Sequence, residues 1–269
     1  MRAILPLLLL LAGCAPEGGA TAGGIVSLNP CADQLLIALA PPGEIAAISH
    51  YSRDPASSSI STDVARRFRA TAGTAEEVIA LNPNLVIATS FTPAASREAF
   101  RRAGLKTLYL DSPTTLEASR AQVMEVARTV KAEARGRALV AEMDAAVARN
   151  RWDGAPVPAL LYLTGDLANG SGTMLDEMMG VAGFQNAAGD LGVAHTGTLP
   201  VESLLRRPPE VILSPDGGGR TAKIRRRLLA ATGARTREAP FSSALINCGG
   251  PTVPAALDRL AQVRREVGE

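Results

Sequence analysis

An α/β fold is what this sequence predicts: two lobes, each a parallel sheet flanked by helices, joined by one long connecting helix. Three observations point there. Short, almost wholly apolar segments alternate with helix-patterned ones, and strands apolar on both faces belong to parallel sheets covered on each side. The stretch 116–151 keeps apolar positions at helical spacing (Val123, Val126, Val130, Leu139, Met143, Val147) with charges between them, the pattern of a long amphipathic segment midway through the chain. One unit is also written twice, as AEEVIALNPNLVIATS at 75–90 and VESLLRRPPEVILSP at 201–215. Each copy opens with an acid (Glu76, Glu202), continues with an apolar pair, reaches a proline (Pro83, Pro209) and ends in an apolar run. The proline ends a helix and the run enters a sheet, so the copies predict one αβ unit in each lobe.

GIVSLN (24–29) predicts the first strand. PCADQLLIALAPPG predicts the helix after it, with Pro30 in the first turn and Pro-Pro-Gly as the stop. EIAAIS (44–49) is a second strand and 50–69 a loop. GTAEEVIAL follows as a helix whose Thr74 and Glu77 have capping-box spacing. LVIAT and TLYLD are strands on either side of the helix AASREAFRRAG. Within 116–151, Gly136 and the KAEARG stretch predict two helices with a break between them. The alternation then resumes with strand ALLYL, helices TMLDEMMGVAG and VESLLRRP, strand EVILS, helix KIRRRLLAATG and a last helix PAALDRLAQVRREV. The expected boundaries are an N-terminal lobe at 25–130, the connecting helix at 131–152 and a C-terminal lobe at 153–269.

Composition narrows the function classes. The chain has 269 residues, 46% apolar, 20% charged and only 3% aromatic, so its core is aliphatic. A net charge of +2, with no nucleic-acid-binding motif, argues for no nucleic acid as partner. MRAILPLLLLLAGC holds one cation and an apolar run from Ile4 to Leu11, too short to span a bilayer, where about 20 residues are needed. It reads as a signal peptide over 1–13. LAGC resembles the bacterial lipobox, which makes Cys14 the expected lipidation site and membrane anchor. Residues 14–24 then form a flexible tether. Cys31 and Cys248 remain; in an exported chain they are a possible disulfide, or two free thiols.

In order, IVSLNPCADQLLIALA, AISHYSRDP, EEVIALNPNLVIA, AGLKTLYLD, SGTMLDEMMGVAGFQNAA, LPVESLLRRPPEVIL and GGPTVPAALDRLA together resemble the substrate-binding proteins of ABC importers, of the type that delivers ferric siderophores, haem or vitamin B12. The resemblance runs from Ile25 to Val267. It implies cargo held between two lobes that move little, a periplasmic or cell-surface location, an ABC permease dimer as partner, a monomer, and neither cofactor nor catalysis. The cargo it implies is a metal chelate, a ferric siderophore first, with haem or a corrinoid as the alternative. It also implies that Glu76 and Glu202 dock onto arginines of two identical permease subunits. An acid at a helix N-terminus is in any case favourable by about 0.3–1 kcal/mol.

Loops leaving the carboxyl ends of parallel strands are the default ligand wall. Those loops offer Asn29, His50, Tyr51, Arg53 and Phe91 in the first lobe, and Asn169, His195 and Asn247 in the second. A tyrosine or histidine can stack on a macrocycle or coordinate its iron, and an arginine can pair with an anionic siderophore. The vitamin B12-binding relative lines its cleft with tryptophans and phenylalanines where this chain has Ala70, His195 or Thr196, and Leu245, which speaks against a corrinoid. Cys31 and Cys248 fall at the cleft edge, one per lobe. The cluster RTAKIRRRLL (220–229) reads as a solvated helix face.

Other classes fit less well. A receptor for a bare metal ion needs several histidine and carboxylate ligands, and the chain has two histidines. An enzyme acting on a metal complex needs a nucleophile–base spacing; NGSGT and PDGGG supply neither a hydrolase elbow nor a phosphate-loop lysine. A stand-alone sensor would share the fold and lack a permease.

Overall fold

The computed structural model describes residues 23–215 and 220–268. The expected signal peptide, Cys14 and most of the tether lie outside those residues. The first lobe runs β1 (Ile25–Ser27), α1 (Pro30–Leu39), β2 (Ile45–Ser49), α2 (Thr62–Ala65), β3 (Ala70–Thr71), α3 (Ala75–Ala80), β4 (Leu85–Thr89), α4 (Ala94–Arg102) and β5 (Thr107–Leu110). Its five strands pair in the order β3-β2-β1-β4-β5, all parallel. Two helices follow, α5 (Leu116–Thr129) and α6 (Glu133–Asn150). The second lobe runs β6 (Val157–Thr164), β7 (Leu167–Asn169), α7 (Met174–Val181), β8 (Phe184–Asn186), α8 (Ala187–Asp190), β9 (Thr196–Thr198), α9 (Val201–Arg206), β10 (Val211–Ser214), α10 (Arg220–Ala231), β11 (Arg237–Pro240) and α11 (Val253–Gly268). Its sheet has a parallel part, β11-β10-β6 with β8 beside β6, extended by β7 and β9 in antiparallel sense.

The predicted two-lobe α/β fold is the observed one. Strand periodicity decides which way each side chain goes. Leu85 and Ile87 of β4 face one core while Val86 and Ala88 face another. In β6, Ala159 and Leu161 enter the same core as Leu85, whereas Leu160 and Tyr162 turn to the outer side of the second sheet. The inner faces of both sheets therefore share one continuous core. Val123 and Val126 of α5, Met143 of α6, Met178 of α7 and Leu257 of α11 fill it. Two lobes that share a packed core are joined by more than a linker.

Helices α5 and α6 realise the predicted break, at the start of the KAEARG stretch and not at Gly136. The chain turns at Val130–Ala132, where Lys131 takes φ 56°. Gly136 lies inside α6, buried against α5. A Cβ there would come within 2.5 Å of the Ala127 Cβ, so this glycine permits the close helix crossing and interrupts nothing. Arg120 and Asp144 pair across the same crossing at 2.5 Å.

The solvated reading of 220–229 needs correction. Arg225 is buried and donates to Glu238 at 2.6 Å, and its guanidinium lies 4.5 Å from the centre of the Tyr162 ring. Removing one partner of such a pair strands a charge and costs about 3–5 kcal/mol. Burial pushes the Tyr162 phenol up to about 12. Arg226 of the same helix also pairs with Glu238, at 3.3 Å.

Candidate functional site

A cleft of about 730 Å³ lies between the lobes, within the range of about 300–1,000 Å³ usual for small-molecule sites. Its first-lobe wall comes from the carboxyl ends of β1, β4 and β5 and from the first turn of α1. The second-lobe wall comes from the ends of β6, β7 and β9, from the start of α7 and from the segment 246–249. Leu35, Leu110, Leu163, Met174, Leu175 and Ile246 make much of it apolar. Asp111 is the sole Asp, Glu, Lys or Arg among the described lining residues. A wider hollow of about 1,020 Å³ lies at the opposite end of the first sheet, lined by Gly23, Glu44, Lys106 and Arg135 among others. It touches neither the second lobe nor any candidate ligand residue.

Of the eight candidate ligand residues, Asn29, Phe91, Asn169, His195 and Asn247 line the cleft. Phe91 is 78% exposed, a large apolar ring left in the open beside an apolar hollow. Arg97 of α4 sets its loop: the guanidinium donates to the carbonyls of Ser90 and Thr92, the latter at 2.9 Å, and stacks 4.7 Å from the centre of the Tyr109 ring. Sequence reasoning missed Arg97, although its place one turn into the helix after the loop was visible.

His195 is held differently. Its backbone takes φ 56°, the left-handed region that few side chains adopt. Two backbone bonds keep it there: His195 N donates to Ser171 O at 2.7 Å, and Gly170 N donates to His195 O at 2.6 Å. A Cβ on Gly170 would meet Val193 O at 2.2 Å, so only glycine allows the two segments to approach this closely. The imidazole is left exposed at the cleft.

The asparagines are partly spent on structure. Asn29 Oδ1 accepts from Cys31 N at 2.9 Å and caps α1. Asn169 is buried, and its Oδ1 accepts from Thr173 Oγ1 at 2.9 Å. Asn247 Nδ2 donates to Ala56 O at 3.2 Å, across to the other lobe. His50, Tyr51 and Arg53 sit on the short 3-10 turn His50–Arg53, outside the cleft lining. His50 stacks on Tyr51 with ring centres 4.0 Å apart, and Arg53 donates to Phe68 O at 2.8 Å.

Beneath that turn lies Asp33, fully buried. Its Oδ2 accepts from Ser52 Oγ at 2.5 Å and from Ser49 N at 3.0 Å. Among the described residues its Oδ1 and the buried Ser27 Oγ make no hydrogen bond of ordinary geometry, although the Ser27 hydroxyl lies close enough to favour the carboxylate. Burial pushes this carboxyl up to about 7, against the smaller opposing pull of the serine hydroxyls and the Ser49 amide.

Cys31 and Cys248 form a disulfide with Cα atoms 5.2 Å apart, within the usual range of about 4.4–6.8 Å. It belongs to the cleft wall and joins the lobes. Next to it Thr252 Oγ1 donates to Gln34 Oε1 at 2.9 Å, and Gln34 Nε2 donates to the Gly249 carbonyl. Glu177 of α7 reaches across the junction to accept from Leu116 N at 2.6 Å, capping α5.

Glu76 and Glu202 are each the second residue of their helix and exposed. Both helices begin at the end of the sheet that carries the cleft. In the first lobe, Glu77 accepts from Thr71 Oγ1 at the end of β3 at 2.7 Å. In the second, Leu199, just before α9, donates to Asp166 O in the turn after β6 at 2.8 Å. Glu77 also departs from the predicted capping box. Thr74 Oγ1 accepts from Glu77 N at 3.3 Å, but the Glu77 carboxylate bonds to Thr71 and to Ala72 N and does not return to Thr74. Those bonds hold it below the usual carboxylate range.

Two α/β lobes, a shared core and a cleft at the carboxyl ends of both sheets agree with a family-model match over residues 25–234, described as periplasmic binding protein. The chain belongs to this family. This binding protein therefore joins proteins that hold a small ligand and work with ABC permeases. A search of curated protein sequences finds no match. Solved structures similar to it include the periplasmic heme-binding protein RhuT from Roseiflexus sp. RS-1 in apo form, at 24% identity and TM-score 0.73, covering 91% of this chain and 98% of that one. The periplasmic heme-binding protein HutB of Vibrio cholerae matches at 18% identity and TM-score 0.73, covering 93% of this chain and 100% of that one. The periplasmic vitamin B12-binding protein BtuF of Vibrio cholerae matches at 19% identity and TM-score 0.66, covering 92% and 98%. At these identities the likeness concerns the fold.

Proposed function

We propose that this binding protein captures a metal tetrapyrrole of the haem class in the inter-lobe cleft and presents it to an ABC permease. The observation that carries this reading is the cleft itself: an exposed aromatic ring, Phe91, and an exposed imidazole, His195, line the same largely apolar hollow. A flat macrocycle needs one apolar face to stack on and one axial nitrogen for its metal. His195 supplies the nitrogen and Phe91 the face. The fold it shares with the heme-binding proteins RhuT and HutB supports this reading.

The ferric siderophore expected from the sequence becomes the second reading. A highly charged chelate such as a ferric tris-catecholate calls for cations in the wall more strongly than the rim propionates of haem do, yet the described lining contains no lysine or arginine, and Arg53 is committed to Phe68 outside it. Glu76 and Glu202 then serve as the docking acids, one per lobe, on the cleft side where cargo must leave. The lipid anchor at Cys14 tethers the protein to the membrane in this scheme.

The test is optical titration of the purified protein with haem, a corrinoid and a ferric hydroxamate. Haem is expected to give a shifted Soret band, which His195→Ala moves or abolishes. Binding of the hydroxamate with no haem response would replace this reading by the siderophore one.

A further inference from the structure

The sequence NPCADQ, residues 29–34, begins α1 at the cleft floor, and three of its side chains leave the helix for two different loops. Cys31 is bonded to Cys248. Gln34 accepts from Thr252 Oγ1 at 2.9 Å and donates to the Gly249 carbonyl. Both partners lie on the 248–252 segment, which leads from the second sheet into α11. Asp33 holds Ser49 and Ser52 on the first-lobe turn that carries His50 and Tyr51. One helical turn thus grips a loop from each lobe, and Asn29 caps that turn.

The gripped segment is fixed from other directions too. Gly250 N donates to Ser119 Oγ of α5 at 2.9 Å, and Asn247 Nδ2 donates to Ala56 O at 3.2 Å. A Cβ on Gly249 would come within 2.8 Å of both Met174 Cε and Ser119 Oγ, so the segment is packed without slack. On the far side of the cleft, Phe91 and His195 are exposed.

We infer that the first turn of α1 is a clasp that fixes the cleft width at the Cys31–Cys248 edge, so that cargo is selected by a set aperture and exchanged through the open side without parting the lobes there. The physical reason is that a covalent bond between segments 217 apart in sequence removes the open arrangements that the chain would otherwise sample. Shared core packing beneath α1 and α5 resists the same motion.

The inference rests on the cleft being the cargo site, so the test has one arm without cargo. Amide hydrogen exchange is followed across 247–252 in three samples: the ligand-free oxidised protein, the Cys31→Ser/Cys248→Ser variant, and the wild type treated with a dithiol reductant and then re-oxidised. Opening the bond is expected to raise exchange in this segment at least tenfold and re-oxidation to restore it, with the strands of both sheets still protected. In the second arm, haem dissociation from the variant is expected to be at least tenfold faster, with bulkier tetrapyrroles admitted that the oxidised protein rejects. Unchanged exchange at 247–252 overturns the clasp, as does loss of protection throughout both sheets, which would make the bond a general stability element. Raised exchange with no haem binding in any sample retains the clasp and overturns the haem reading.

Discussion

The unit written twice in the sequence is built twice in space, yet the two copies are finished differently. In both, the residue after the proline donates its N–H to the start of the neighbouring strand: Asn84 N to Gly24 O at 2.9 Å, and Glu210 N to Pro158 O at 3.0 Å. In both, the following strand is central, β4 between β1 and β5, and β10 between β6 and β11. The helix starts diverge. Thr74 caps α3 through its side chain, and Glu77 ties that end to β3. Pro200 precedes α9 and offers no side-chain cap. The lobes also diverge beyond the repeat. The first cleft wall comes from parallel strand ends and the α1 turn over Asp33; much of the second comes from the antiparallel β7–β9 pair, braced by backbone bonds around Gly170 and His195. The repeated parts fit the docking role proposed for each lobe, and the unrepeated parts line the cleft proposed to hold cargo.

The largest expected effect bears on what the copies share. Replacing Glu76 or Glu202 with arginine is expected to reduce cargo uptake to background, each alone, with binding by the purified protein unchanged. If one replacement is silent, the lobes are not equivalent at the permease and the symmetry of the docking proposal fails.

An intermediate effect concerns the buried carboxyl, which the second wall lacks. Asp33 titrates near 7 in the folded chain against 3.8 in its absence, so the folded state retains a proton that the unfolded state has lost between those values. Stability contributed by that proton is present below about 4 and lost as pH rises through about 7. Urea midpoints measured from pH 4 to 8 are expected to fall more steeply for the wild type than for Asp33→Asn, which cannot titrate. Parallel curves would show that Asp33 binds no such extra proton.

The smallest effect separates the two helix starts. Thr74→Ala is expected to cost about 1 kcal/mol by loss of the cap. Pro200→Ala should stay within about 0.5 kcal/mol, as expected for a surface change with no side-chain bond to lose. Thermal unfolding compares them, and equal losses would mean that the caps do not distinguish the lobes.

Much of this fold was legible. The apolar runs IVS, IAAIS, LVIAT, TLYL, VPALLYLT and VILS are strands, and the helices between them lie where the periodicity put them. The strands that went unread are short and mostly polar: AT, LAN, FQN, TGT and REAP. Their own residues carry no period strong enough to announce a strand; pairing partners make them strands. In the cleft lining, Asn29 and Phe91 were legible because they follow the ends of β1 and β4, and Asn169 because it ends β7; His195 just before β9 and Asn247 after the 243–245 turn were named from their loops. Arg97 and Gln34 were not, because each acts by reaching from a helix onto a carbonyl whose position depends on packing.

The sequence by itself determined what depends on near neighbours along the chain: the alternation of strand and helix, the proline that ends each copy, the cap at Thr74 and the acid in the first turn of α3 and of α9. The tertiary structure decided what depends on residues far apart. It set Cys31 against Cys248, placed Gln34 under the Gly249–Thr252 turn, brought Phe91 and His195 to one cleft and left Tyr51 on a turn outside it. Local pattern is written in periods of two and 3.6 residues. Which loops face each other is settled only when both sheets turn their inner faces to one core.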